Sequence, residues 1–248
     1  MEHTIPKVAL ITGGVKRIGA TIARQLHKLG INLALHYRHS KEQALALQEE
    51  LHTQRPNSVF LLQAELSHFP RLTHLVEKTI AHYGRLDILV NNASSFFPTP
   101  IGQVVEEMWD NLLNTNLKAP FFLSQAAMPH LQATQGCIIN IVDIYGKHPL
   151  KSYPVYSIAK AGLIMLTQTL AYELGPAVRV NGIAPGAILW PENRELDEVA
   201  KMRIISKTAL KHLGDPQDIA KAVVFLINDA NYMTGQIVTI DGGRTLHS

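Results

Sequence analysis

Short apolar runs alternate with longer amphipathic stretches along almost the whole chain. The runs at 7–11, 31–37, 59–63, 86–90, 137–142, 178–183 and 237–240 are rich in Val, Ile and Leu, and each reads as a strand covered on both faces. Between them, apolar positions recur at helical spacing over 17–29, 70–83, 104–114, 117–131, 156–174 and 216–228. A further helix is entered through Ser40 and ends near Gln54, and Gly30 closes the first. This βαβα rhythm predicts an α/β fold, a doubly wound parallel sheet with helices on both faces. No linker or internal repeat interrupts it, so residues 1–248 are expected to form a single domain. After A-P-G at 184–186 the pattern lapses, and an irregular segment is expected before the helix at 216.

The helix over 156–174 departs from simple amphipathicity. Ile158, Ala161, Leu163, Ile164, Met165, Leu166 and Leu170 leave almost no polar face, which requires burial all round. Only one face of such a helix meets the sheet of its own domain, so a subunit interface is expected.

Composition narrows the class. With 46% apolar and 17% charged residues among 248, the chain can build a full core and has no disordered tract. The net charge of +3 is scattered; it suggests neither nucleic acid nor a membrane surface as partner, and suits an anionic cofactor. Cys137 is the single cysteine, which excludes an intrachain disulfide and predicts a buried thiol. The 12 histidines show no metal-ligand pairing, so no metal site is assigned. No window reaches membrane-span length and the N-terminus M-E-H-T-I-P-K has no apolar core, so a soluble, cytoplasmic protein is expected.

Three stretches carry candidate chemistry. The turn T-G-G-V-K-R-I-G at 12–19 lies between strand and helix, where glycines let the backbone approach a phosphate at a helix N-terminus. The end of the second strand carries His36, Tyr37, Arg38, His39 and Ser40 where a carboxylate would select an unphosphorylated ribose. With Lys16 and Arg17 in the first turn, these groups point to a 2′-phosphate and hence to NADPH. Tyr156 and Lys160 stand four apart, one turn apart on one helix face. An ammonium beside the phenol would lower its pKa and make it a proton donor near neutral pH.

The glycine turn, N-N-A at 91–93, the Y-x-x-x-K pair and A-P-G at 184–186 resemble the short-chain dehydrogenase/reductase family, in order and spacing, over nearly the whole chain. The resemblance implies a Rossmann-type domain and a homotetramer. It makes Tyr156 the proton donor and Lys160 the residue that tunes it and holds the nicotinamide ribose. It places Asn116 at the asparagine that shapes a proton-relay water site. Gly13, Lys16, Arg17, Ile18, Glu65, Leu66, Asn92, Ala93, Ser94, Pro185, Gly186 and Ile188 fall where the family binds its cofactor.

Two departures point further. Arg17 replaces the middle glycine of the turn, and Asp143 replaces the family's serine, 13 residues before Tyr156. An ionised carboxylate only accepts hydrogen bonds, so it cannot donate to a ketone oxygen as the serine does. Both changes are similar to the pteridine reductase branch, as are L-H-Y-R-H-S at 35–40 and N-N-A-S-S-F-F-P-T-P-I at 91–101. That likeness implies NADPH-dependent reduction of a pterin or folate, with Phe96 stacked on the pterin, Ser94 and Arg17 in contact with pterin or cofactor, and Asp143 assisting Tyr156. The order R-H at 38–39 leaves open whether Arg38 or His39 meets the 2′-phosphate. The alternatives are a carbonyl or 3-oxoacyl-thioester reductase, which uses the serine hydroxyl, and a non-catalytic NADPH-binding sensor. The segment 188–198 falls where the family has a substrate lid; Ile188, Leu189 and Trp190 either close over the site or form a solvent loop with one packed aromatic.

Overall fold

The computed structural model describes residues 5–190 and 197–246. Its strands are β1 (Val8–Ile11), β2 (Asn32–Tyr37), β3 (Val59–Gln63), β4 (Ile88–Asn91), β5 (Cys137–Ile141), β6 (Arg179–Pro185) and β7 (Ile237–Ile240). They form one seven-stranded sheet in the order 3-2-1-4-5-6-7, parallel throughout. The order reverses between β1 and β4, and at such a switch point the carboxyl ends of the strands open a crevice.

The helices are α1 (Arg17–Lys28), α2 (Lys41–Gln54), α3 (Phe69–Tyr83), α4 (Glu106–Leu113), α5 (Ala119–Thr134), α6 (Pro154–Leu174), α7 (Glu198–Ser206) and α8 (Pro216–Asn228). Strand alternation divides the core in two. Ala9 and Ile11 of β1 join Ile88 and Val90 of β4 in a layer with Ile22 and Leu26 of α1, Leu47 of α2 and Val223 of α8. Val8 and Leu10 pack on the opposite face with Leu89, Leu75 of α3, Leu123 of α5 and Leu174 of α6. Local signals agree with these elements. Asp215 and Asp218 form a capping box around the start of α8 with Pro216 in its first turn, and Gly84, at φ 75°, ends α3.

Three differences from the pattern have physical causes. The irregular segment contains α7, which starts where the Asp197 carboxylate accepts the Ala200 N–H at 2.7 Å. It buries no residue, so no apolar period marks it. The two helices expected over 104–131 are joined through a π-helical turn, Asn114–Lys118, rather than a loop. Finally, within the single chain the burial expected all round α6 reaches one face only, because the sheet covers only that side. Leu163, Leu166 and Leu174 sit in the core, whereas Ile158, Met165 and Tyr172 are 49%, 61% and 88% exposed. Cys137 is buried, which raises its thiol to about 11. Among the described residues, no helix is long and apolar enough to cross a membrane.

Candidate active site

Thr12 ties the two halves of the crevice together. At the end of β1 its hydroxyl accepts the N–H groups of Asn92 (2.9 Å) and Ala93 (3.0 Å), just beyond β4. The Asn92 amide donates back to the carbonyls of Thr12 and Gly13 at 2.9 and 3.0 Å. Gly13 holds φ +59°, and a Cβ on Gly19 would lie 2.2 Å from the Gly13 oxygen, so only glycines allow the turn to fold this tightly onto α1. Lys16, the residue before α1, offers no side-chain cap, and Lys16, Arg17, Ile18 and Gly19 at this helix start all border the crevice.

That crevice is a cavity of about 430 Å³ containing Gly13, Lys16, Arg17, Ile18, His36, Tyr37, Arg38, His39, Ser40, Glu65, Leu66, Asn92, Ala93 and Ser94. The structure thus gathers every cofactor candidate from the first half of the chain. Val15 and Gly19 of the glycine turn, Ser95 of the segment 91–101, and Thr115, which no motif marks, also line it. Glycines, an uncapped helix N-terminus and flanking cations fit the pyrophosphate of a dinucleotide.

His36 is corrected in role. Its Nδ1 accepts the Gly13 N–H at 3.2 Å, so its Nε2 carries the hydrogen and donates to the Ala64 carbonyl at 3.1 Å. Burial lowers its pKa to about 4. His36 is therefore a neutral brace under the glycine turn rather than a cation for a phosphate. Tyr37 is also buried, at 8% exposure. Lys16, Arg17 and Arg38 remain as the cationic side, with the Arg38 guanidinium paired to the Glu65 carboxylate and His39 beside them in the lining.

A second cavity, about 310 Å³, shares Arg17, Ile18, Asn92 and Ser94 with the first. Phe96, Asp143, Tyr156, Lys160, Pro185, Gly186 and Ile188 line it, bringing the catalytic and substrate candidates beside the dinucleotide crevice. Leu189 and Trp190 line it too, and the Trp190 carbonyl accepts from Arg17 Nη2 at 2.9 Å. Residues 188–190 thus line the cavity; 191–196 of the expected lid lie outside the described residues. Phe96 stacks on Tyr153 (centroids 4.6 Å, 11°) and meets Tyr156 edge-on at 4.8 Å, yet stays 48% exposed. Arg17 has φ +51°, a left-handed backbone that a side chain adopts at a cost of about 1–2 kcal/mol. The family's glycine is free of that cost, so the guanidinium is held in the cleft against a backbone preference.

At the centre, the Tyr156 hydroxyl donates to Asp143 Oδ2 at 2.7 Å, and the Tyr145 N–H donates to Asp143 Oδ1 at 2.9 Å. Lys160 is 1% exposed; its ammonium donates to the Ile141 carbonyl at 3.0 Å and lies 5.7 Å from the Tyr156 ring centroid. Burial lowers Lys160 to about 8 and raises the Asp143 carboxyl above its ordinary range. Tyr156 reverses the spacing argument. Burial first, then the charge and hydrogen bond of Asp143, hold its pKa well above the usual phenol value. The carboxylate touches the hydroxyl whereas the ammonium is turned to a carbonyl, so the free site keeps its proton on the phenol.

Asn116 lies deeper. It is fully buried in the π-helical turn, where its amide donates to the Ser95 and Leu112 carbonyls at 2.9 Å each and its oxygen accepts from Ser94 Oγ at 2.7 Å. It lines neither cavity and meets them through its hydrogen bond with Ser94. Tyr145, Ile204 and Arg244 line the second cavity without having been anticipated. For Arg244 the visible signal is the D-G-G turn at 241–243, which follows the last strand at the sheet's carboxyl end; Tyr145 and Ile204 carry none.

A Rossmann-type sheet with a glycine turn and a buried Tyr–Lys pair at its switch point defines a nicotinamide-dependent oxidoreductase. The comparisons agree: a family model described as enoyl-(acyl carrier protein) reductase matches residues 14–245, and the chain belongs to the short-chain dehydrogenase/reductase family. The 3-oxoacyl-(acyl-carrier-protein) reductase FabG of Staphylococcus epidermidis is 35% identical, covering 96% of this chain and 98% of that protein. FabG of Staphylococcus aureus is likewise 35% identical over 96% and 97%. Pteridine reductase 1 of Leishmania tarentolae is 34% identical over 96% of each chain.

Proposed function

We propose that this protein is an NADPH-dependent reductase of pterins, acting on dihydrobiopterin, dihydromonapterin or related dihydro forms and extending to biopterin and dihydrofolate. One observation carries this reading. The Tyr156 hydroxyl donates a hydrogen bond to Asp143, which stands at the position where a ketone reductase needs a serine hydroxyl donor. A Tyr–carboxyl pair suits protonation of a ring nitrogen, while the exposed ring of Phe96 offers a bed for a flat heterocycle.

The residues of the first cavity would hold a reduced nicotinamide dinucleotide, whose chemistry there would be hydride supply to a carbon of the ring C=N bond. The protein's part is to orient and to protonate. Tyr156, with Asp143 behind it, delivers a proton to the adjacent ring nitrogen, and Lys160 holds the ribose and the charge balance. Lys16, Arg38, His39 and Ser40 support the 2′-phosphate, which favours NADPH over NADH. The Ile158, Met165 and Tyr172 stripe on α6 supports a homo-oligomer, with a tetramer as the family form.

The FabG relatives favour a second reading, reduction of a 3-oxoacyl thioester, because their identity is the equal of the pteridine reductase's. NADPH oxidation by the purified protein separates the two. Dihydrobiopterin, dihydrofolate and an acetoacetyl thioester are offered in parallel, with NADH as control. Turnover of the pterins with NADPH is expected; thioester turnover without pterin activity would transfer the assignment to the second reading.

A further inference from the structure

Arg244 is a cation in the substrate cavity that the proposed chemistry does not use. It begins a short 3₁₀ turn, Arg244–Leu246, directly after β7. The turn is built firmly: Asp241 accepts the N–H groups of Gly243 (2.9 Å) and Thr245 (2.7 Å), and Gly242 and Gly243 take φ +60° and +75°. From it, Arg244 Nη2 donates to the Tyr145 hydroxyl at 2.8 Å, with the guanidinium 5.8 Å from the ring centroid. Its contacts are with a neutral phenol; no carboxylate lies within ion-pair distance of it among the described residues.

The charge around it is unbalanced. Among the described residues, Lys160 and Arg244 line the cavity beside one carboxylate, Asp143, whose two oxygens already accept from Tyr156 and Tyr145. Arg17 also borders the dinucleotide crevice and Lys160 stands beside Tyr156, but Arg244 lines only the substrate side. Asp143 feels the charge of Arg244 but does not touch it, and a part-buried guanidinium with no carboxylate in contact among the described residues is matched best by an oxyanion, which it binds through charge-assisted hydrogen bonds.

We propose that Arg244 reads an oxyanion, a carboxylate or a phosphate, on the tail of the substrate, so that the cavity prefers anion-tailed pterins to neutral-tailed ones. This rests on the pterin reading. The test compares kcat/KM for dihydrofolate, whose tail carries carboxylates, dihydroneopterin monophosphate and neutral-tailed dihydrobiopterin, in the wild type, Arg244→Gln and Arg244→Lys. The ratio of anion-tailed to neutral-tailed kcat/KM is expected to fall about tenfold in Arg244→Gln, the scale of one charge-assisted contact, through KM rather than kcat. Arg244→Lys should recover part of it. The substrate with the larger fall identifies carboxylate or phosphate as the source. An unchanged ratio in both variants, including an equal loss on all three substrates, overturns the proposal and makes Arg244 a brace for Tyr145. If no pterin is turned over but the thioester is, the pterin reading fails by itself. Arg244 is then judged by the same ratio between acetoacetyl coenzyme A, which carries phosphates, and acetoacetyl N-acetylcysteamine, which does not.

Discussion

Replacing Asp143 by asparagine removes the charge and keeps the shape. The carboxylate accepts two hydrogen bonds, from the Tyr145 N–H at one oxygen and the Tyr156 hydroxyl at the other. A carboxamide has one oxygen and one NH₂ group, so it can accept only one of them as they stand. The Tyr145 N–H is backbone and cannot turn, whereas a hydroxyl can rotate. The carboxamide oxygen therefore stays with Tyr145, and its NH₂ donates to the Tyr156 oxygen. Tyr156 changes from donor to acceptor, which favours its phenolate.

Two effects follow with known sign. Asp143 supplies two of the influences that raise Tyr156, and the variant removes both while burial persists. The alkaline limb of the activity profile should accordingly move to lower pH. Turnover of dihydrobiopterin should fall about 10²-fold, the lower range for loss of a general acid partner. NADPH affinity should change by less than about threefold, because Asp143 lines only the second cavity. Fluorescence titration gives the affinity, and NADPH oxidation across pH gives the profile. Unchanged turnover, or an alkaline limb that stays put or rises, refutes the role given to Asp143.

Lys160→Met should stabilise the fold while abolishing turnover. Lowering Lys160 from 10.5 to about 8 costs about 3 kcal/mol at neutral pH, and the unpaired Ile141 carbonyl returns about 1–3 kcal/mol of that. Between pH 8 and 10.5 the unfolded chain binds more protons, so the wild type itself gains stability as pH rises there. A net gain of about 1 kcal/mol in thermal unfolding at neutral pH, shrinking toward pH 10, is the expected record; a lower Tm at neutral pH contradicts it. Arg17→Gly relieves about 1–2 kcal/mol of left-handed strain but loosens the unfolded chain by about 0.4–1 kcal/mol. Its Tm should stay within a few degrees while pterin kcat/KM drops at least about tenfold; intact pterin kinetics would remove Arg17 from the cleft's function.

Much of this was legible because the sheet is parallel and covered. Its strands are plain apolar runs, and the glycine turn and Tyr156–Lys160 spacing lie on elements whose geometry is fixed by period. What was hidden has one character. Tyr145 and Arg244 reach the cavity only because β5 and β7 end on the same side of the sheet, a relation between residues 99 apart that no local pattern carries. α7 buries nothing and leaves no periodic trace. His36 looked like part of a basic cluster, and only its two backbone partners reveal it as neutral. The sign of the Tyr156 shift likewise depended on which neighbour is closer, a distance that i, i+4 spacing does not set.

That sign raises a mechanistic requirement. A phenol held well above its ordinary pKa retains its proton but parts with it reluctantly. If Asp143 pairs with an N–H of the bound pterin, its charge is shared and its hold on the Tyr156 hydroxyl weakens, while burial continues to act on both. The substrate would then acidify its own proton donor. The profile of kcat/KM reports the free enzyme and that of kcat the substrate complex. The alkaline limb of kcat should therefore lie below that of kcat/KM for dihydrobiopterin, and the two should converge in Asp143→Asn, where no charge remains to be shared. Coincident limbs in the wild type would mean that Asp143 keeps its bond to Tyr156 throughout, and that the proton reaches the ring without help from the substrate.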